Sequence, residues 1–157
     1  MAEHPIPVFC TIENIRLIGT MAIYDSQADA LERIPQQWSE FRKHHPALGD
    51  SCIFRGASPC TGDGRIHYFA GVAQEDWDGS ADGEPLTLEA GEYGVVQVED
   101  AALLRDTWNW LLRNWLPSSG RREKKAPEFE TYAVISETGL PVGPVEIWIP
   151  LEPVARK

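Results

Sequence analysis

The sequence predicts an α+β fold: a duplicated βαββ module with pseudo-twofold symmetry. The prediction depends on an order of segments that occurs twice, namely a β-rich stretch, a helical stretch and then two short strand candidates. The two copies cover about residues 10–75 and about residues 86–153. Solenoid repeats have roughly 20 to 50 residues, so a longer repeat favours two modules that pack against each other. We therefore expect residues 1–157 to form a single domain.

The first copy begins with the β-rich segment TIENIRLIGTMAIYD at 11–25. A helix is predicted at 28–45, where Leu31, Ile34, Trp38 and Phe41 recur at helical spacing. Pro35 interrupts this pattern, which indicates either the first turn of a helix, a kink or two short pieces. The strand candidates SCIFRGAS at 51–58 and RIHYFAGVA at 65–73 complete the copy.

The second copy begins with LTLEAGEYGVVQVED at 86–100. Asp100 is placed to cap the helix that follows, and Pro117 is predicted to end it. Apolar residues form a core-facing stripe along this helix, namely Leu104, Trp108, Leu111, Leu112 and Trp115. Trp110 lies off the stripe. Tryptophans at such spacing, Trp38 included, are more typical of a core than of a ligand site. The final strand candidates are FETYAVIS at 129–136 and VEIWIPL at 145–151.

Charge and composition exclude several classes of function. The formal net charge is −10 at pH 7, and nucleic-acid binding needs Lys and Arg to neutralise phosphates, so no direct nucleic-acid binding is expected. The acidic balance mildly favours cationic partners. No apolar run reaches the roughly 20 residues of a membrane span, and the N-terminus MAEHPIPVFC lacks a signal core. We expect a cytoplasmic protein that does not contact membranes.

The familiar site motifs are missing or fail in detail. The three cysteines, Cys10, Cys52 and Cys60, include no CxxC pair and are interpreted as inert thiols. The acidic loop at 74–84 resembles a calcium loop, but Ala81 occupies the position that needs glycine and Thr87 the one that needs glutamate.

Other local patterns carry little chemistry. His44 and His45 fit a helix end, His67 stands alone on a strand, and no metal, cofactor, nucleotide or serine-hydrolase motif is present. Trp77 either anchors its loop or offers its π face to a cation. The basic cluster at 121–125 is interpreted as solvated surface, with a partner-binding role as the alternative.

One residue of the last strand is out of place. Val145, Ile147, Ile149 and Leu151 alternate along one face, which leaves Glu146 and Trp148 on the other. A large indole is unusual on an open, solvated sheet. The two side chains therefore either line an apolar pocket, where desolvation would favour cation binding or acid–base chemistry, or form a half-exposed rim.

Several stretches together resemble the GyrI-like, or bacterial (AraC-type) effector-binding, domain family, of which this chain would be a standalone member. They cover nearly the whole chain from about Thr11 in the order typical of that family. The stretches are IPQQWSEF at 34–41, YFAGV at 68–72, GEYGVV at 91–96, TWNWLLRNWLPSSG at 107–120, FETY at 129–132 and VEIWIPL at 145–151.

The resemblance implies an antiparallel sheet flanked by two helices, and a central pocket for bulky, often cationic, aromatic compounds. It places the pocket glutamate at Glu146 and pocket tyrosines at Tyr68 and Tyr132. On local chemistry we add further candidate ligand-binding walls, namely Tyr93, Trp77, Trp110 and Trp148. No helix–turn–helix segment precedes the module, so we do not expect a transcription factor by itself.

Three functions remain open at this point. The first is sequestration or sensing of hydrophobic, preferably cationic, small molecules around Glu146. The second is hydrolysis of strained, cyclopropane-containing compounds, with Glu146 as general base and Tyr132 as the polarising group. The third is binding of a protein partner, such as a topoisomerase or a regulator, through the acidic surface.

Overall fold

The computed structural model describes residues 4–48, 52–59, 62–79 and 83–154. The strands are β1 Val8–Ile12, β2 Ile15–Tyr24, β3 Phe54–Ser58, β4 Ile66–Ala73, β5 Glu84–Leu88, β6 Gly91–Val98, β7 Glu128–Ile135 and β8 Pro141–Pro150. The helices are α1 Gln27–His44, α2 Leu104–Trp110 and α3 Leu116–Ser119, with the π-helical turn Leu111–Trp115 between α2 and α3. Short 3-10 turns are at Pro46–Leu48, Gln74–Asp76 and Ala101–Leu103.

All strands join one antiparallel sheet in the order β1-β6-β8-β7-β3-β4-β2-β5. This order is symmetric about the central β7–β3 pair, which confirms the duplicated α+β fold. Each predicted β-rich segment overlaps two strands rather than one, and the first strand of each begins before the predicted segment. The first strand of each pairs with the other copy, since β1 lies on β6 and β5 lies on β2. The two copies therefore exchange edge strands.

Helix α1 is a single helix that runs through Pro35, not two short pieces. The Ser26 hydroxyl accepts the N–H of Asp29 at 3.1 Å and caps the first turn. Past the proline, the loop between β7 and β8 holds the helix. Ser39 donates a hydrogen bond to the carbonyl of Glu137 at 2.7 Å, and a Cβ on Gly139 would lie 1.6 Å from the carbonyl oxygen of Pro35. This contact requires glycine, because no side chain fits between loop and helix.

The second helical segment extends beyond the proline that was predicted to end it. Asp100 caps the preceding 3-10 turn by accepting the N–H of Ala102 at 2.9 Å, as predicted. The π-helical turn then widens the helix directly before α3, where Pro117 fits in a first turn because its N–H is not needed there. Gly120, with a φ of 76°, ends the helix instead.

Both helical segments lie on one face of the sheet. Trp38 and Phe41 of α1 pack with Phe54 and Tyr68, and Leu111 packs with Ile147. The opposite face carries a separate apolar cluster, on which no helix of the described residues packs. Its buried residues come from six strands, namely Leu17, Ala57, Phe69, Leu88, Tyr93, Val95 and Phe129. Within the part of the chain that the structure describes, no helix is both long and apolar enough to span a bilayer.

Candidate functional site

A cavity of about 850 Å³ lies between α1 and α2 and is bounded by β3, β4 and β7. Leu31, Ile34 and Trp38 form its α1 wall, and Leu104 and Trp108 its α2 wall. Small-molecule sites in proteins have volumes of roughly 300–1,000 Å³ and mostly apolar walls with a few polar groups. The cavity therefore has the size and lining of a site for a bulky aromatic molecule.

The carboxylate of Glu130 lies inside this cavity. The indole N–H of Trp108 donates a hydrogen bond to Oε2 of Glu130, and the Tyr132 hydroxyl donates one to Oε1. Glu130 and Tyr132 are two residues apart on β7 and therefore share a face of the sheet. The two donors come from a helix and from the sheet, so they hold the carboxylate from both sides.

The hydrogen bonds continue away from Glu130 as a chain. The hydroxyls of Tyr132 and Tyr68 lie 3.3 Å apart, and the indole N–H of Trp38 donates to the Tyr68 hydroxyl at 2.8 Å. Because an indole can only donate, Tyr68 is free to donate onward to Tyr132, which donates to Glu130. Every donor of the chain then points toward the carboxylate, an arrangement that favours its negative charge.

Burial opposes that charge. Desolvation raises the pKa of Glu130, although the hydrogen bonds from Tyr132 and Trp108 partly offset the effect. Desolvation followed by the charge of Glu130 also raises the pKa of Tyr132 well above its ordinary value. The tyrosines therefore remain protonated donors at neutral pH, and the ionised form of Glu130 gains from a cation beside it.

Space for the two tyrosines depends on Gly56 of β3. A Cβ at this position would lie 2.0 Å from the hydroxyl oxygen of Tyr68 and 3.1 Å from that of Tyr132. In the sheet, Gly56 is paired with Glu130 on one side and Ala70 on the other. The missing side chain of Gly56 thus lets the tyrosine pair lie flat against the centre of the sheet.

A model of the GyrI-like small molecule binding domain matches residues 7–152 of the chain. The chain belongs to the GyrI-like family. No curated protein matches its sequence. Among solved structures, SAV2435 bound to tetraphenylphosphonium is similar, with a TM-score of 0.73, 20% identity and coverage of 93% of both chains.

Two further solved structures share the GyrI-like fold. An integron cassette protein from the mobile metagenome of Vibrio cholerae has a TM-score of 0.71 at 18% identity, covering 94% of this chain and 96% of its own. A hydrolase from Listeria innocua is more distant, with a TM-score of 0.52 at 10% identity, covering 96% of this chain and 94% of its own. At such identities the likeness shows a common fold.

In this GyrI-like domain, Tyr68 and Tyr132 line the cavity, where the sequence resemblance places them. Three other aromatic candidates are elsewhere. Trp77 packs on His45 with ring centroids 4.6 Å apart, and Trp110 stacks on His4 at 4.7 Å. Tyr93 lies on the helix-free face, where its hydroxyl donates to the carbonyl of Glu89 at 2.6 Å. None of these three is among the residues that line the cavity.

Glu146 and Trp148 require a correction of position. They share a face of β8, as alternation predicts, and the indole N–H of Trp148 donates to Glu146 at 3.2 Å. That face is the helix-free one, because Trp148 stacks on Phe129 with ring centroids 5.2 Å apart and Thr131 donates to Glu146 at 2.8 Å. Neither residue is among those that line the cavity. The apolar neighbours of Trp148 are thus the sheet's own second core.

The variant Glu146→Gln tests this placement directly. We expect its affinity for tetraphenylphosphonium to stay within about twofold of the wild-type value, since Glu146 lies on the opposite face of the sheet and a distant charge contributes little to binding in the cavity. Isothermal titration calorimetry on both proteins would measure it. A loss of affinity of tenfold or more would make Glu146 the central acidic residue of the binding site.

Sequence reasoning missed Glu130, Trp108 and the cavity-facing position of Trp38. The apolar stripes correctly place both tryptophans toward the sheet, but at these positions the helix–sheet layer opens into a cavity. A signal for Glu130 was present, because Tyr132 was expected in the pocket and the alternation of FETY puts Glu130 on the same face.

Other predicted features have local partners. Cys52 is buried and its thiol donates to the carbonyl of Leu48, while Cys60 lies outside the described residues. In the basic cluster, Arg121 pairs with Glu92 at 2.5 Å and Lys124 with Glu89 at 3.3 Å, so two of its cations are structural. Among the described residues, no group of three or more His, Cys, Asp or Glu side chains is placed to hold a metal ion.

Proposed function

We propose that this GyrI-like domain binds bulky aromatic, preferably cationic, small molecules in the cavity between α1 and α2, for sequestration or sensing. Glu130 supplies the negative charge at the site. The observation that carries the proposal is the partly buried Glu130 carboxylate, which is held by Trp108 and Tyr132 and lines the cavity.

The charge of Glu130 has no cationic partner of its own. None of the ion pairs between described residues includes Glu130. Of the cationic side chains that line the cavity, Arg65, Arg105 and Lys125 are exposed, and the partly exposed Lys124 pairs with Glu89 at 3.3 Å. A buried carboxylate without a counter-charge is costly, so a ligand cation would relieve that cost while the carboxylate keeps its hydrogen bonds.

The aromatic walls explain a broad ligand class. Trp38 and Trp108 present indole surfaces to the cavity, and aliphatic side chains fill the space between them. Aromatic faces accept flat apolar groups in many poses and also attract cations. One carboxylate then selects for positive charge without fixing the shape of the ligand.

The direct test uses two probes of the same shape and opposite charge. Tetraphenylphosphonium should bind the wild-type protein in a calorimetric titration, whereas tetraphenylborate should bind at least about 100-fold more weakly, because truncated or mismatched buried charges typically cost 2–5 kcal/mol. Equal affinity for the two ions would refute the cationic preference, and binding of neither would refute the cavity as a site for this class of ligand.

Binding should also depend on pH in a definite direction. The pKa of Glu130 is raised in the free protein, so at lower pH a cation must displace a proton from Glu130. Affinity for tetraphenylphosphonium should therefore rise with pH and level off once the free protein has lost that proton. The probe itself does not titrate, so calorimetry at a series of pH values measures the protein alone. A flat profile between pH 5 and pH 9 would contradict the linkage.

A hydrolase is the second candidate function. The supporting observation is the direct hydrogen bond between Tyr132 and Glu130, which joins a phenol to a carboxylate whose pKa is raised, as a general base requires. In this reaction Glu130 would take a proton from water while the water oxygen bonds to a carbon of the strained cyclopropane. The ring C–C bond would break, Tyr132 would polarise the group that receives its electron pair, and the proton would pass from Glu130 to that group. Product formation that is lost in Glu130→Gln would favour the enzyme, and unchanged substrate after long incubation would favour the binder.

A further inference from the structure

The cavity contains a second acidic position besides Glu130. Glu128 lies two residues earlier on β7, so its side chain stands on the same face, roughly 6–7 Å along the strand. Both residues line the cavity, and Glu123, from the segment between α3 and β7, lines it as well. Two separate acidic groups, Glu130 and the pair of Glu123 and Glu128, therefore face the same cavity.

Glu128 and Glu123 form a carboxyl pair. Burial, followed by a hydrogen bond with Glu123 and the negative charge of Glu123, together raise the pKa of Glu128 to about 8. The nearby carboxylate of Glu123 therefore favours the protonated form of Glu128, as is usual when like charges approach. A cation that enters beside them could replace this proton.

Several cations lie near the pair in sequence, and Lys125, which also lines the cavity, is exposed to solvent. Lys124, although it lies between the two elements in sequence, reaches away to Glu89 at 3.3 Å and to the carbonyl of Ala90 at 3.4 Å. Arg121 is bound to Glu92. Among the described residues, no ion pair includes Glu123 or Glu128.

We infer that the cavity prefers aromatic dications, with one positive centre at Glu130 and the second at the Glu123–Glu128 pair. This inference rests on the proposed function and specifies its ligand class. The separation along β7 matches a rigid, flat molecule whose two cationic centres lie at opposite ends of two linked rings. A monocation of the same shape fills the same part of the cavity but leaves one of the two acidic groups without a positive charge beside it.

Methyl viologen and N-methyl-4-phenylpyridinium provide this comparison, since both have two linked six-membered rings but carry two charges and one. Quenching of tryptophan fluorescence or calorimetry gives both dissociation constants. For wild-type protein we expect methyl viologen to bind about tenfold or more tightly than the monocation. In Glu128→Gln this ratio should fall to about one, and Glu123→Gln should lower it in the same direction.

Glu32→Gln, which changes an exposed glutamate of α1 outside the cavity, is the matched control and should keep the wild-type ratio. If tetraphenylphosphonium still binds, the dication preference is overturned by a wild-type affinity ratio near one between methyl viologen and N-methyl-4-phenylpyridinium, or by no binding of either. The proposed function would still stand. A ratio that persists in both Glu128→Gln and Glu123→Gln would place the second charge elsewhere and equally overturn the dication preference. Failure of all three cations to bind would refute the proposed function itself.

Discussion

The variant Glu130→Gln should bind tetraphenylphosphonium about 100-fold more weakly than the wild-type protein. Removing one partner of a buried charge pair typically costs 2–5 kcal/mol, and about 2.7 kcal/mol corresponds to this factor. The amide keeps the size of the side chain, and its oxygen accepts the hydrogen bond of Trp108. The Tyr132 hydroxyl donates to the carboxylate in the wild type, whereas in the variant it meets the amide nitrogen and can only accept from it. Calorimetric titration of both proteins measures the loss, which then reports the charge rather than the shape of the cavity.

The same variant should be more heat-stable than the wild type at neutral pH. The pKa of Glu130 is raised in the folded state, so its contribution to stability is fully present below the unfolded-state pKa and is lost as pH rises through the folded-state pKa. The amide does not ionise and avoids this loss. The difference in melting temperature between Glu130→Gln and the wild-type protein should therefore be clear at pH 7.5 and become smaller toward pH 4.

Together the two effects distinguish a binding group from a structural one. A structural Glu130 would lose stability and affinity together when it is changed to glutamine. Glu32→Gln serves as the control, with both quantities unchanged. Affinity within threefold of wild type in Glu130→Gln would contradict the assignment of the charge to this residue.

The variant Gly56→Ala should lower the free energy of unfolding by about 3 kcal/mol, because overpacking typically costs 1–3 kcal/mol and a broken buried hydrogen bond adds to it. Its Cβ would lie 2.0 Å from the Tyr68 hydroxyl oxygen, which accepts the hydrogen bond of Trp38. On a strand with ordinary φ, alanine would otherwise be slightly stabilising relative to glycine. Urea denaturation followed by circular dichroism measures the change.

A double variant isolates the cause of this destabilisation. Tyr68→Phe removes the atom that clashes most closely, so Gly56→Ala combined with Tyr68→Phe should be less destabilised than the sum of the single changes. Strict additivity would show that the clash with the hydroxyl is not the reason. A Gly56→Ala protein as stable as wild type would show that the tyrosine pair has room to move.

Glu130 on β7 and Glu146 on β8 show what alternation along a strand does not determine. Alternation correctly groups Glu146 with Trp148 and would equally group Glu130 with Tyr132. It gives only relative orientation, however, since a period of two does not say which face meets the helices. That choice follows from Ile147 and its aliphatic neighbours packing against the α2 segment, which leaves Glu146 on the helix-free side.

The exchanged edge strands show a second limit. The segment from Thr11 to Asp25 has β character throughout, and Asn14 marks the break where the Asn14 side chain accepts the N–H of Ala90. Nothing local to the segment indicates that β1 pairs with the other copy while β2 pairs with β4 of its own copy and with β5 of the other. Pairing of β1 with β6 is a contact between residues about 80 positions apart, and long-range pairing depends on the whole sheet rather than on local propensity.

The sequence by itself determined the repeated order of elements, the helix stripes, the cap at Asp100 and the family, because these depend on spacing within a few residues or on motifs in a fixed order. Only the tertiary structure decided which strand face lies under the helices and where the helices part to leave a cavity. The reason is physical: alternation and helical period fix directions within one element, whereas the position of Glu130 beneath Trp108 depends on how separate elements pack.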